Sequence, residues 1–376
     1  MNITFLIGNG FDLNMGLQTL YSDFLKEYKK IDTKSKNLNS FRQNISENET
    51  EWASAEIALG KYTANFGKGE AAAFSECHVD FCEQLAKYLT HQMNRIDYNA
   101  VEKNIINSIS HLNQLTKPFP TQESEQIKQI YRNRQSENII FNFICFNYTD
   151  TLSKFLNIIK KLPNEIGSHT WGSQLFKHTV GDIYYVHGTV EKEMILGVND
   201  DTQIAKNDIF DCEDGEIYKQ LFIKQRANTS YLENRDTKVA QLIQKSHIIY
   251  IYGMSIGETD KLWWERICTW LNSSVDRHLI IHKHTMPEKS VVPVKYQLEE
   301  NKTKKDFANK SSLHEQARKS IQSRIHVTSD NIFEDMIDVA RKEKTEEATN
   351  KEPLELEIKA STNGAWSYAH ANRKVL

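Results

Sequence analysis

Residues 3–7 form a short apolar run rich in β-formers that stops at Gly8, the pattern of a buried strand ending in a turn. Apolar positions then recur at helical spacing over residues 19–30, about 51–62, 75–96, 101–115 and 122–134. Residues 32–50 lie among these, polar and rich in Asn, Lys and Ser, and read as a loop. The stretch of about 30–135 is therefore expected to be a largely helical insertion beside a sheet. A strong strand follows at 138–146, then a helix through 159. An irregular stretch holding Gly167, Gly172 and Gly181 precedes strands at 183–186 and 194–196. The pattern continues as a helix over 214–244, a strand at 247–252, a helix over 258–271 and a strand at 278–282. Residues 312–323, 325–327 and 332–341 close the series as helix, strand and helix.

Strands alternating with helices predict an α/β fold with a doubly wound, mostly parallel sheet. One domain, residues 1–341, is expected to hold the sheet and the insertion. From residue 342 the apolar periodicity fades and charges mix, so 342–376 reads as a flexible tail or an interaction segment. Its Trp366, Tyr368 and His370 would suit contact with another copy of the chain or with a partner.

Composition narrows the class. Of 376 residues, 39% are hydrophobic and 26% charged, which allows a buried core under a polar surface. A net charge of −3 asks for no polyanionic partner, so no nucleic-acid role is expected. The five cysteines are odd in number and form no Cys-x-x-Cys pair. That argues against a disulfide framework or a structural zinc site and points to a reducing cytoplasm. The first apolar run is too short for a signal peptide, and no uncharged stretch approaches the ~20 residues that cross a bilayer. A cytoplasmic chain with no membrane partner is the expectation.

Four polar motifs each follow an apolar strand. They are Gly8-Asn9-Gly10, continued by Phe11-Asp12; Asn147-Tyr148-Thr149; His187-Gly188; and Gly253-Met254-Ser255, with Asp260 beyond it. In an open parallel sheet all strand C-termini lie at one edge, where ligands bind. Four distant segments are thereby expected to meet at one nucleotide pocket. Gly8 and Gly10 allow positive φ and close backbone approach, so that successive N–H groups can face a phosphate; alone, such a turn is as often a tight bend. It is not the dinucleotide fingerprint, because Leu13 stands at the third glycine, and no Walker lysine follows. Asn147 offers a donor and an acceptor to a ribose hydroxyl or a water, or else caps the next helix. His187 can exchange a proton near neutral pH, and Gly188 leaves room for a ligand. Ser255 and Asp260 suit an adenosine ribose or a helix cap.

Two other chemistries compete. Gly253-Met254-Ser255-Ile256-Gly257 has the letters of a nucleophile elbow, with His282 or His284 and Asp276 as further triad members. That reading leaves the other three motifs without a role. A nuclease would need a carboxylate cluster for metal, and His78, His282 and His284 have no partners at a metal-ligand spacing, so no metal is expected.

Gly8-Asn9-Gly10-Phe11-Asp12-Leu13, Gly16-Leu17 and Thr19-Leu20-Tyr21-Ser22-Asp23-Phe24 resemble the opening of the bacteriophage abortive infection AbiH family. Trp52 with Glu56 resembles its Trp-x-x-x-Glu segment. Phe146-Asn147-Tyr148-Thr149, Val186-His187-Gly188, Ile195-Leu196-Gly197 and Tyr252-Gly253-Met254-Ser255 with Asp260 are similar to its later motifs, in order. The motif order is also similar to the sirtuin-like NAD-binding fold, a Rossmann variant. By that similarity Gly8 and Gly10 would hold the phosphates of NAD, and Asn147 its nicotinamide ribose or a water. His187 would touch a ribose hydroxyl and act as base, and Gly253 and Ser255 would lie near the adenosine half. Asn9 departs from that fold's alanine, and Thr149 from its acid, with Asp150 one place late. The resemblance implies an antiphage defence protein that hydrolyses NAD or a related nucleotide on infection, gated by a homo-oligomer or a defence-system partner. The alternative is a non-catalytic sensor of NAD or ADP-ribose, which Thr149 favours.

Overall fold

The computed structural model describes residues 1–163, 165–230, 234–257, 260–288 and 293–340. Seven strands are found among them: β1 (Asn2–Ile7), β2 (Ile139–Cys145), β3 (Gly167–Trp171), β4 (Gln174–Tyr185), β5 (Ile248–Tyr252), β6 (His278–His282) and β7 (Ile325–Thr328). They form one sheet in the order β3-β4-β2-β1-β5-β6-β7. Every pair is parallel except β3 with β4. The chain winds from β1 outward to β2 and β4, then crosses to β5 and winds the other way to β6 and β7. The α/β, mostly parallel, doubly wound sheet expected from the strand–helix alternation is therefore present. Its winding reverses between β1 and β5, the switch point where such sheets open a crevice.

The central strands are apolar throughout because both faces are covered. On one face Phe5 of β1 stacks on Phe143 at 5.4 Å and on Tyr250 at 5.2 Å. On the other, Leu6 joins Ile144, Ile249 and Ile251 against the tryptophans of the helix Lys261–Asn272.

The segment between β1 and β2 divides in two. Its first helices, Tyr21–Tyr28, Lys36–Glu47, Ala55–Tyr62 and Ala71–Met93, build a separate aromatic core around Phe24, Phe41, Trp52 and Phe81. Leu196, Val198, Phe210 and Phe222, from the far side of β4, complete that core. Its later helices, Glu102–Ser110 and Thr121–Arg132, pack on the sheet instead, through Ile105, Ile109, Ile127 and Ile130.

Several local expectations are corrected. Residues 32–50 hold the helix Lys36–Glu47 rather than a loop: Leu38, Phe41 and Ile45 are buried at helical spacing, and the Ser35 hydroxyl accepts from the Leu38 N–H. The irregular stretch is the β3–β4 hairpin, which turns at Gly172 with φ of 61°. Its edge strand carries no alternating apolar face, so periodicity misses it. Residues 194–196 form no strand; Ile195 N–H donates to the His187 carbonyl. Residues 214–244 contain three helices, Gly215–Phe222, Lys224–Ser230 and Arg235–Lys245. The helix Pro293–Ala308 is an addition to the expected elements: its apolar Val294 and Leu298 are exposed and form no buried stripe. Within 332–340 only the short 3₁₀ turn Glu334–Met336 is present, with Phe333 and Met336 buried. The readings of the tail at 342–376 lie outside the described residues.

Candidate functional site

The turns after β1, β2, β4, β5 and β6 open on one cavity of about 1150 Å³. Among the expected site residues, Gly8, Asn9, Gly10, Asp12, Asn147, Thr149, His187, Gly253, Ser255 and Asp260 line it. Phe11 and Gly188 do not. Phe11 is fully buried in the core, edge-on to Phe155 at 5.7 Å and Phe333 at 5.1 Å. Gly188, at φ of 68°, is a packing glycine: a Cβ there would meet the Glu193 carbonyl oxygen at 2.0 Å.

The glycine turn works differently from the expectation. Neither Gly8 nor Gly10 has a positive φ; Gly253 does, at 65°. The Gly8 N–H donates to the Tyr252 carbonyl at 2.9 Å and the Gly10 N–H to the Gly253 carbonyl at 2.7 Å. These two donors tie the β1 turn to the β5 turn, so they do not form a row facing a phosphate. A Cβ on Gly10 would lie 2.4 Å from the Gly253 Cα, so the glycines permit two backbones to touch at the switch point. Asn9 braces the loop that follows: its amide donates to the Thr19 carbonyl at 3.1 Å and its carbonyl accepts from the Thr19 hydroxyl at 2.6 Å.

Asp12 lies in the short helix Gly10–Asn14 that this turn opens, with none of its surface exposed. Its Oδ2 accepts from Asn147 Nδ2 at 3.2 Å and from Thr149 Oγ1 at 2.6 Å, and its Oδ1 accepts from Thr151 Oγ1 at 2.8 Å. Burial pushes its pKa up from 3.8 to about 6, against the lowering effect of these three bonds. Asn147 and Thr149 therefore serve a carboxylate as well as bordering the cavity.

His187, at the end of β4, is buried, with Nε2 3.7 Å from the Asp260 carboxylate. Its Nδ1 is also buried and has no hydrogen-bond partner. The Tyr148 ring lies beside it at 6.3 Å. The Tyr148 hydroxyl donates to Glu56 Oε1 at 2.9 Å, and Glu56 Oε2 takes the Lys224 ammonium at 2.6 Å. Tyr21 bonds the same tyrosine, and burial raises the pKa of both phenols well above 10. All four residues border the cavity. Reading from residue chemistry alone missed this group. Tyr21, Glu56 and Tyr148 stand in motifs that the resemblance picked out, whereas Lys224 lies in a polar helix with no local signal. On the β6 side His282 stacks on Tyr252 at 4.6 Å, and burial pushes its pKa down to about 4.

The elbow triad with Asp276 is not assembled, although Ser255, His282 and His284 border the same cavity. His282 ends β6, whereas Asp276 precedes its first residue, so the strand separates them by roughly 20 Å at 3.3 Å per residue. Among the described residues no group of three or more His, Cys, Asp or Glu could hold a metal ion, and no helix is long and apolar enough to cross a membrane.

No curated protein and no solved structure matches this chain. The family model described as "Bacteriophage abortive infection AbiH" matches residues 4–282, from within β1 to the end of β6, and includes every residue of the cavity discussed so far except His284. The chain belongs to the bacteriophage abortive infection AbiH family, which gives it a role in abortive-infection defence against phage.

Proposed function

We propose that this protein binds NAD or a related nucleotide in the switch-point cavity and hydrolyses it when infection triggers it. The observation that supports this best is the convergence of the turns after β1, β2, β4 and β5 on one cavity. Its volume is at or above the upper end for small-molecule sites, roughly 300–1000 Å³. The motif order, similar to that of the sirtuin-like NAD-binding fold, supports NAD as the nucleotide.

Hydrolysis breaks the bond between ribose C1′ and the nicotinamide nitrogen through an oxocarbenium-like transition state. Nicotinamide leaves with the bonding electron pair, a water oxygen bonds to C1′, and one proton is released. Asn147 places the water or a ribose hydroxyl. His187 takes the proton, on a ring whose Nδ1 is unpaired and whose Nε2 faces Asp260. Cleavage before infection would harm the cell, so the reading includes a gate, either a second copy or a defence-system partner.

A second reading, a non-catalytic sensor of NAD or ADP-ribose, is favoured by the state of Asp12. Both of its oxygens are occupied by neutral donors, and Thr149 stands where an acid would be. Purified protein incubated with NAD, with and without phage components, separates the two. Nicotinamide release that falls about 100-fold or more in His187→Ala and Asn147→Ala is the expected result. Release unchanged by both would remove their roles. Tight calorimetric binding with no turnover under any condition decides for the sensor.

A further inference from the structure

All three side-chain hydrogen bonds of Asp12 come from the turn after β2 and its first helical residue, and none comes from a cation. An ionised carboxylate only accepts hydrogen bonds. The branch of the Asn147 amide that meets it must therefore be the NH₂ group. The NH₂ branch gives one of its two protons to Asp12, so the acceptor that Asn147 keeps for the cavity it lines is its carbonyl oxygen, beside one remaining N–H. The Thr149 and Thr151 hydroxyls give their single protons to the same carboxylate. They cannot donate to a ligand at the same time.

From this geometry we infer that Asp12 is a positioning residue that fixes the orientation of the Asn147 amide, so that its carbonyl oxygen is held ready for a hydrogen-bond donor of the ligand. A ribose hydroxyl or the attacking water can donate to that oxygen; a phosphate oxygen, itself an acceptor, cannot pair with it. The choice of ribose rests on the nucleotide reading above, whereas the polarity of Asn147 does not. A cation at position 12 would have turned the amide over and selected an acceptor instead.

The titratable groups facing Asp12 are Asp150, Tyr98, Cys145 and Tyr185. Asp150 is paired with Lys154 at 2.8 Å, and burial raises the other three, which leaves them neutral near pH 7. Among the groups hydrogen-bonded to the Asn147 amide, the one that gains a proton as pH falls through about 6 is Asp12, and Asp12→Asn separates its contribution from that of His187 across the cavity.

The test follows the Asn147 side-chain NH₂ pair in a proton–nitrogen correlation spectrum, identified by its loss in Asn147→Asp. It is expected to titrate with a midpoint near pH 6 in the wild-type protein and to lose that titration in Asp12→Asn. Calorimetry with NAD is expected to show Asp12→Leu at least about tenfold weaker than Asp12→Asn, which can still offer Asn147 an acceptor. An NAD analogue without the ribose 2′ and 3′ hydroxyls is expected to bind at least about tenfold more weakly than NAD. An amide pair indifferent to pH from 5 to 7 overturns the inference whether or not NAD binds. So does equal affinity for NAD and the analogue. A pair that titrates in a protein without affinity for NAD supports the polarity and sinks the nucleotide reading. The titration uses wild-type protein, so a variant at Asp12 that fails to fold does not remove the test.

Discussion

Asp12, fully buried, and Glu56, half-buried, are carboxylates on the same cavity, and they are held by opposite means. Glu56 faces a buried ammonium, Lys224, and a phenol, Tyr148. Asp12 faces an amide and two hydroxyls. The first carries its own counter-charge, so it is a fixed dipole that joins the insertion to the helix Lys224–Ser230. The second has hydrogen bonds but no counter-charge, so desolvation governs it and its charge is sensitive to pH. A buried ion pair locks a wall in place. A buried carboxylate among neutral donors sets directions for the groups around it and can change state under mild conditions.

The largest effect is expected from breaking the ion pair. Glu56→Ala leaves the Lys224 charge buried without a partner and should cost about 3–5 kcal/mol in urea unfolding, with much of it recovered in the double variant Glu56→Leu/Lys224→Met. A single-variant loss below about 1 kcal/mol would show that the pair does not hold the insertion.

Asp12 should behave in the opposite way. Its folded-state pKa is raised from 3.8 to about 6, so its carboxyl favours the folded state below pH 4, and that contribution is lost as pH rises through about 6. Asp12→Asn removes the penalty. Relative to wild type, the variant should gain on the order of 2–3 kcal/mol between pH 4 and pH 7.5, read from urea midpoints at both values. A pH-independent difference would place Asp12 in the same class as Glu56.

A smaller effect sharpens the comparison. Thr149→Val removes one neutral donor at nearly constant volume and should cost about 1–2 kcal/mol at pH 7.5, less at pH 4, where the carboxyl is protonated. It should also move the Asp12 midpoint upward, because one of the bonds that lower it is gone. Equal losses at both pH values would mean that Thr149 acts through packing alone.

The legible part of this molecule was its apolar periodicity. β1, β2, β5, β6 and β7 were readable because strands covered on both faces are nearly continuous apolar runs that stop at turns. The edge strand β3, the first part of β4 and the helix Lys36–Glu47 were not, because the hairpin is largely exposed there and the helix hides three buried residues in a polar background, whereas the end of β4 was readable at 183–186. At the site, the placement of Asn147, His187 and the glycine turn at one edge was readable from their positions after strands. Lys224 was not, since nothing local distinguishes a lysine that becomes buried from one that stays in water.

The sequence by itself determined that a parallel sheet would form and that four polar turns would share its C-terminal edge, because strand direction alone dictates where such turns emerge. Only the tertiary structure decided what those turns do to each other. Gly8 and Gly10 became contacts with the β5 turn, Asp12 a buried acceptor for the β2 turn, and Lys224 the partner of Glu56, 168 residues away in the chain. Such pairings depend on which side chains are removed from water together, and that is a property of the assembled fold, absent from any local stretch of residues.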